Sequence, residues 1–158
     1  MSHEAFYRKS IDQPEAFWSE EAKRIDWHKP FEQVCDYSRA PFARWFVGGE
    51  TNLCYNAVDR WVQKQGDKPA LIAISTETPD GSPVEKVWSF RELQREVERT
   101  AAIMRSLGVN RGDRVLIYMP MIAEATFAML ACARIGAIHS VVFGGFAANS
   151  LATRIDDA

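Results

Sequence analysis

Apolar side chains recur along "SFRELQREVERTAAIMRSLG" at steps of three and four: Phe90, Leu93, Val97, Ala101, Met104 and Leu107. That spacing lays them on one stripe of a helix with charge opposite, so the segment is predicted to cover the outside of a layer. Ser89 and Glu92 have capping-box spacing at its start, and Gly108 fits the position just past its end. The pattern then changes. "MIAEATFAMLACARIG" is apolar almost all round, which predicts a helix buried on most sides and closed by Gly136. Short β-rich runs flank it, Val115 to Tyr118 before Pro120 and "AIHSVVF" after it. Strand, buried helix, strand is the order and size of one βαβ unit, with a right-handed crossover. The continuous apolar runs predict parallel strands buried on both faces.

Upstream, "ALIAIS" and "VEKVWSF" read as strands of a hairpin, joined by the turn-rich "TETPDGSP". "TNLCYNAVDRWVQKQGDKPA" reads as a helix capped by Thr51 or Asn52, with Leu53, Ala57, Trp61 and Val58 on its apolar face and Gly66 at its stop. An earlier helix is predicted in "DQPEAFWSEEAKR", capped by Asp12 with Glu15 three residues on and Pro14 in the first turn. Between these helices the aromatic-rich stretch from Ile25 to Gly49 holds no steady period and is expected to be an extended arm. A last helix begins in "AANSLATRIDDA", capped by Asn149 or Ser150.

Composition narrows the function classes. The 158 residues suit about one domain, and 19 basic against 21 acidic residues give a net charge of -2. No run of Lys or Arg makes a nucleic-acid or anionic-lipid surface. The longest strongly apolar segment contains Glu124, Arg134 and Gly136, so no membrane span is expected, and "MSHEAFYRKS" has no signal-peptide core. Cys35, Cys54 and Cys132 have neither the number nor the spacing of a disulfide framework or zinc site. A cytoplasmic location follows as the expectation.

The residues with chemical potential are few. Gly144 and Gly145 sit where the second predicted parallel strand ends and a helix begins. Ligands of open α/β sheets bind outside such strand ends, and two glycines there let backbone amides approach a phosphate or a pantetheine-like chain. A tight strand-to-helix turn needing positive φ is the reading that local sequence favours. The pattern is neither GxGxxG nor a Walker loop. Gly48-Gly49 reads as a turn, His139 as a buried, hydrogen-bonded histidine, and Glu124 and Arg134 as charges suited to the two ends of their helix. The five tryptophans, with no basic stripe between them, read as packing. No nucleophile, base and orienting acid can be assembled, so no catalytic residue and no metal ligand is assigned.

Three stretches carry a resemblance. "GDRVLIYMPMIAEATFAMLACARIGAIHSVVFGGF" resembles the early adenylation domain of acetyl- and propionyl-CoA synthetases, and "YRKSIDQPEAFWSEEAKRIDW" resembles their N-terminal extension. "FARWFVGGETNLCYNAVDRW" is most similar to the propionate-CoA ligase branch. The resemblance implies an α/β fold, the start of the large domain of adenylate-forming enzymes, with a βαβ unit, a hairpin and an N-terminal helical or extended arm. It implies an N-terminal extension over residues 1–60 and the beginning of an AMP-binding domain over residues 61–158. It further implies a parent enzyme that activates propionate or acetate with ATP and Mg2+ to an acyl-adenylate and then forms a thioester with coenzyme A, releasing AMP and pyrophosphate. Phe143, Gly144 and Gly145 would lie along the coenzyme A site. The family's phosphate loop, hinge and C-terminal lysine are not in these residues, so the chain is expected to be an inactive N-terminal piece, with no nucleic-acid or membrane partner. The competing expectation is a stand-alone, non-catalytic α/β binding or interaction module.

Overall fold

The computed structural model describes residues 2–76 and 78–157. The chain divides into two compact units, Met1–Asn52 and Leu53–Ala158.

The first unit opens on two short helices, α1 (His3–Asp12) and α2 (Pro14–Glu21). The sequence pattern missed α1. Its cap is Ser2, whose Oγ accepts from the Ala5 N–H at 3.3 Å. Asp12 is therefore the last residue of α1 and not the cap of α2; Gln13 precedes α2, and Pro14 occupies the first turn where its missing N–H costs nothing. The expected extended arm is instead an antiparallel hairpin, β1 (Gln33–Arg39) and β2 (Phe42–Val47), turning at the cis Ala40-Pro41 bond. Its alternation was hidden because most side chains of both strands face solvent. Ring stacking organises this unit: Phe6 meets Phe17 edge-on at 4.8 Å, and Trp27, Phe31 and Phe46 form a triangle with centroids 5.2 to 5.4 Å apart. Gly48 turns at φ 79°, and a Cβ on Gly49 would stand 2.7 Å from the Trp27 ring, so that glycine pair serves a turn and a close approach.

The second unit begins with a π-helical turn, Tyr55–Asp59, running into α3 (Arg60–Gln65). A π turn holds an extra residue and so rotates the helix face. Cys54 and Val58 are buried, whereas Leu53 is 63% exposed and Ala57 also faces outward, so only Val58 of the predicted face is in the core. Strands β3 (Pro69–Ser75) and β4 (Val84–Ser89) form the predicted antiparallel hairpin. The predicted capping box starts α4 (Phe90–Ser106), with Ser89 Oγ accepting from Glu92 N–H and Glu92 accepting from Ser89 N–H. Leu93, Val97 and Ala101 are buried as the stripe requires, but Leu107 at the helix end is 79% exposed.

Strand β5 (Arg114–Met119), helix α5 (Ala123–Ile135) and strand β6 (Ile138–Phe143) make the βαβ unit. The strands pair in parallel without a slip, from Arg114 opposite Ile138 to Met119 opposite Phe143. Gly136 closes α5 in the left-handed conformation at φ 78°. Seven of the 13 residues of α5 are buried, and its Phe127 meets Trp88 of β4 edge-on at 5.6 Å. The strands themselves are less buried than predicted: only Ile117 and Val142 are fully covered, because α5 lies on one face and the other is open among the described residues. His139 is accordingly exposed and not buried. The last helix, α6 (Ala148–Asp156), starts after extended Ala147, with neither Asn149 nor Ser150 capping it.

Candidate functional site

Both strands of the parallel pair end together, and the turn after β6 lies against the end of β5. Pro120 stops β5, while the Phe146 N–H closes a turn onto the Phe143 carbonyl at 3.2 Å. Gly144 and Gly145 are exposed within that turn, followed by extended Ala147 and the start of α6.

Neither glycine adopts positive φ, so the requirement for a left-handed turn falls away. The two differ in their surroundings. A Cβ on Gly144 would come within 3.1 Å of Pro120 N and 3.3 Å of the Met119 carbonyl carbon, so the turn's main chain rests on the main chain of β5. A Cβ on Gly145 would meet only the Phe143 ring, 3.0 Å away, and a side chain can swing aside. Phe143 is 60% exposed beside them. The three predicted site residues thus stand on the surface at the carboxyl edge of the parallel sheet, the edge where ligands of α/β folds bind.

Tyr118, which the sequence did not single out, reaches this turn from β5. Its hydroxyl lies 3.1 Å from the Gly144 carbonyl oxygen and 2.9 Å from that of Phe146. Arg154 of α6 stacks over the Phe146 ring at 5.3 Å.

A second polar cluster lies apart from the sheet edge. The Arg134 guanidinium near the end of α5 donates to both Asp59 carboxylate oxygens, at 2.7 and 2.9 Å, and to Glu98 Oε1 of α4 at 2.8 Å. Gln94 donates to Asp59 Oδ1 at 2.6 Å. Arg134 therefore does more than complement a helix end: it ties the π turn, α4 and α5 together. Burial lowers its proton affinity, but the Asp59 hydrogen bonds outweigh that and hold it above the ordinary arginine value. Burial pushes the neighbouring Cys54 thiol up, against the opposing pull of Arg134, so at neutral pH it is a protonated packing group and not a nucleophile. Glu124 is exposed in the first turn of α5, in line with a dipole-matched charge. Among the described residues no group of three or more His, Cys, Asp or Glu is placed to hold a metal ion. No described helix is long and apolar enough to cross a membrane.

Comparison with known proteins joins these observations. Residues 3–57 match the profile described as acetyl-coenzyme A synthetase N-terminus, and residues 58–158 match that of AMP-binding enzymes. The propionate–CoA ligase of Salmonella typhimurium is 63% identical over all 158 residues, and that of Escherichia coli 61%. The acetyl-coenzyme A synthetase of Deinococcus radiodurans is 52% identical over 157 residues. The chain spans about a quarter of the length of these relatives, 24%, 24% and 23% respectively. Its fold superimposes on the acetoacetyl-CoA synthetase of Streptomyces lividans with a TM-score of 0.86 and 30% identity, over 99% of this chain and 24% of that one. With a matching profile across its second unit and a matching synthetase N-terminus ahead of it, the chain belongs to the family of AMP-binding enzymes.

Proposed function

We propose that these residues form the N-terminal part of an ATP-dependent carboxylate–CoA ligase that makes propionyl-CoA, or acetyl-CoA, through an acyl-adenylate with release of AMP and pyrophosphate. The observation that carries this reading is 63% identity to a propionate–CoA ligase without loss of coverage of this chain. The greater identity to the two propionate enzymes than to the acetate one favours propionate. The partners are a short carboxylate, ATP and coenzyme A, met in the cytoplasm. Mg2+ would accompany ATP, but no residue of this chain is assigned to it. The N-terminal extension is residues 1–60 and the AMP-binding domain begins at 61, a division supported by the profile boundary at 57/58 and the change of compact unit at 52/53. The 158-residue chain by itself is inactive.

Phe143, Gly144 and Gly145 form one wall of the coenzyme A site. Their exposure at the carboxyl edge of the parallel strands, with main chain uncovered at the glycines, supports this role. Assaying the complete protein that carries this chain tests both statements. Carboxylate-dependent ATP–pyrophosphate exchange is expected with propionate in preference to acetate; exchange with neither acid overturns the ligase reading and leaves a binding module. Gly145→Ala should weaken thioester formation while sparing exchange, because its new methyl meets only the exposed Phe143 ring. Equal loss in both half-reactions would remove the coenzyme A role.

A further inference from the structure

We infer that Tyr118 is a positioning residue for the Phe143–Phe146 turn, latching the Gly144 and Phe146 carbonyls inward so that the amides that follow them face the ligand. The inference rests on the reading of that turn as a coenzyme A wall.

Tyr118 stands opposite Val142 in the parallel register, two residues before Gly144. From there its side chain extends along the strand to two carbonyl oxygens, those of Gly144 and Phe146, at 3.1 and 2.9 Å. A phenol has one proton, so it donates to these oxygens in turn or shares it between them. In a trans peptide the C=O of one residue and the N–H of the next point in opposite directions. Turning the Gly144 carbonyl toward Tyr118 therefore turns the Gly145 N–H away from it, and the Phe146 carbonyl does the same for the Ala147 N–H. Neither N–H has an acceptor among the described residues. The latch thus leaves two main-chain donors available to a ligand bearing carbonyl or phosphate oxygens, as the amides and phosphates of coenzyme A do. The hydroxyl is the part of the side chain that performs this, since the turn's own hydrogen bond and the seating of Gly144 on β5 do not involve it.

Tyr118→Phe in the complete ligase removes the hydroxyl and keeps the ring. The KM for coenzyme A in thioester formation should rise about two- to tenfold, the scale of one lost hydrogen bond. Carboxylate-dependent ATP–pyrophosphate exchange and the melting temperature should stay close to those of the parent. Gly145→Ala, measured alongside, separates the two layers of the inference. A raised KM for Gly145→Ala with none for Tyr118→Phe overturns the latch and leaves the turn as a coenzyme A wall. No change in either variant removes the wall and the latch together. Exchange falling in step with thioester formation in Tyr118→Phe would reduce the tyrosine to a purely structural part and overturn the inference.

Discussion

Single residues in this chain carry duties that their neighbours in sequence do not share. Arg134 links Asp59, 75 residues before it, to Glu98, and its side chain is 28% exposed against 13% for Asp59. Removing one partner of so covered a pair leaves the other charge poorly solvated. Arg134→Ala should therefore destabilise the second unit by about 2–3 kcal/mol, discounted from the fully buried case for its residual exposure. Urea unfolding followed by circular dichroism would measure this. Pairing it with Asp59→Leu should restore part of the loss, and strict additivity of the two changes would deny the coupling. Gly136 offers a backbone counterpart. At φ 78° an alanine is strained, and its methyl would also press on the Arg111 side chain at 3.0 Å, so Gly136→Ala should cost about 1–2 kcal/mol in the same assay. Sequence spacing could place Gly136 at a helix end because that signal is local. It could not pair Arg134 with Asp59, because only tertiary packing brings them together. The glycine pair at 144 and 145 was legible as a strand end, but not the distinct neighbour each one has.

At the scale of elements, legibility followed the strength of the local period. Helix α4 was read nearly to its ends because a capping box, an amphipathic stripe and a closing glycine agreed. The first hairpin was lost because its aromatic side chains do not alternate between core and solvent, and α1 was lost because none of its residues is buried. The π turn defeated the face assignment at Leu53 because the expected step of 3.6 does not hold there. The α4 cap is also sensitive to pH. Hydrogen bonds from the Ser89 main chain, then from its side chain, hold the Glu92 carboxyl below its ordinary value of 4.5. A carboxyl depressed in the folded state stabilises above its unfolded pKa, and the contribution disappears as pH falls through the folded value. The stability gap between parent and Glu92→Ala should thus be full at neutral pH and close in acid below that range. Ser89→Ala should lower stability by about 1 kcal/mol at neutral pH. A gap independent of pH would show that the cap acts through geometry alone.

At the scale of the whole molecule, large apolar side chains remain on the surface of the second unit. Ile72 and Ile74 of β3, and Ile138, Val141 and Phe143 of β6, are each 49% exposed or more. Such rows beside unpaired strand edges favour edge-to-edge association. The 158-residue chain should therefore self-associate as its concentration rises, visible as a growing weight-average mass in sedimentation equilibrium. A monomer up to about 100 μM would contradict this. The broad architecture was legible because the βαβ order and the hairpin are local in sequence, whereas the openness of one sheet face follows from which layers meet, and no window of sequence reports it.

The long reach of Arg134 also bears on synthesis. Asp59 leaves the ribosome 75 residues ahead of its partner. At about 5–20 residues per second, the π turn and α3 wait roughly 4–15 s before the cation that anchors them has been made. The entrance to the second unit should therefore stay open to proteases in the nascent chain during that interval, and protection of residues 54–65 should switch on only after α5 has emerged.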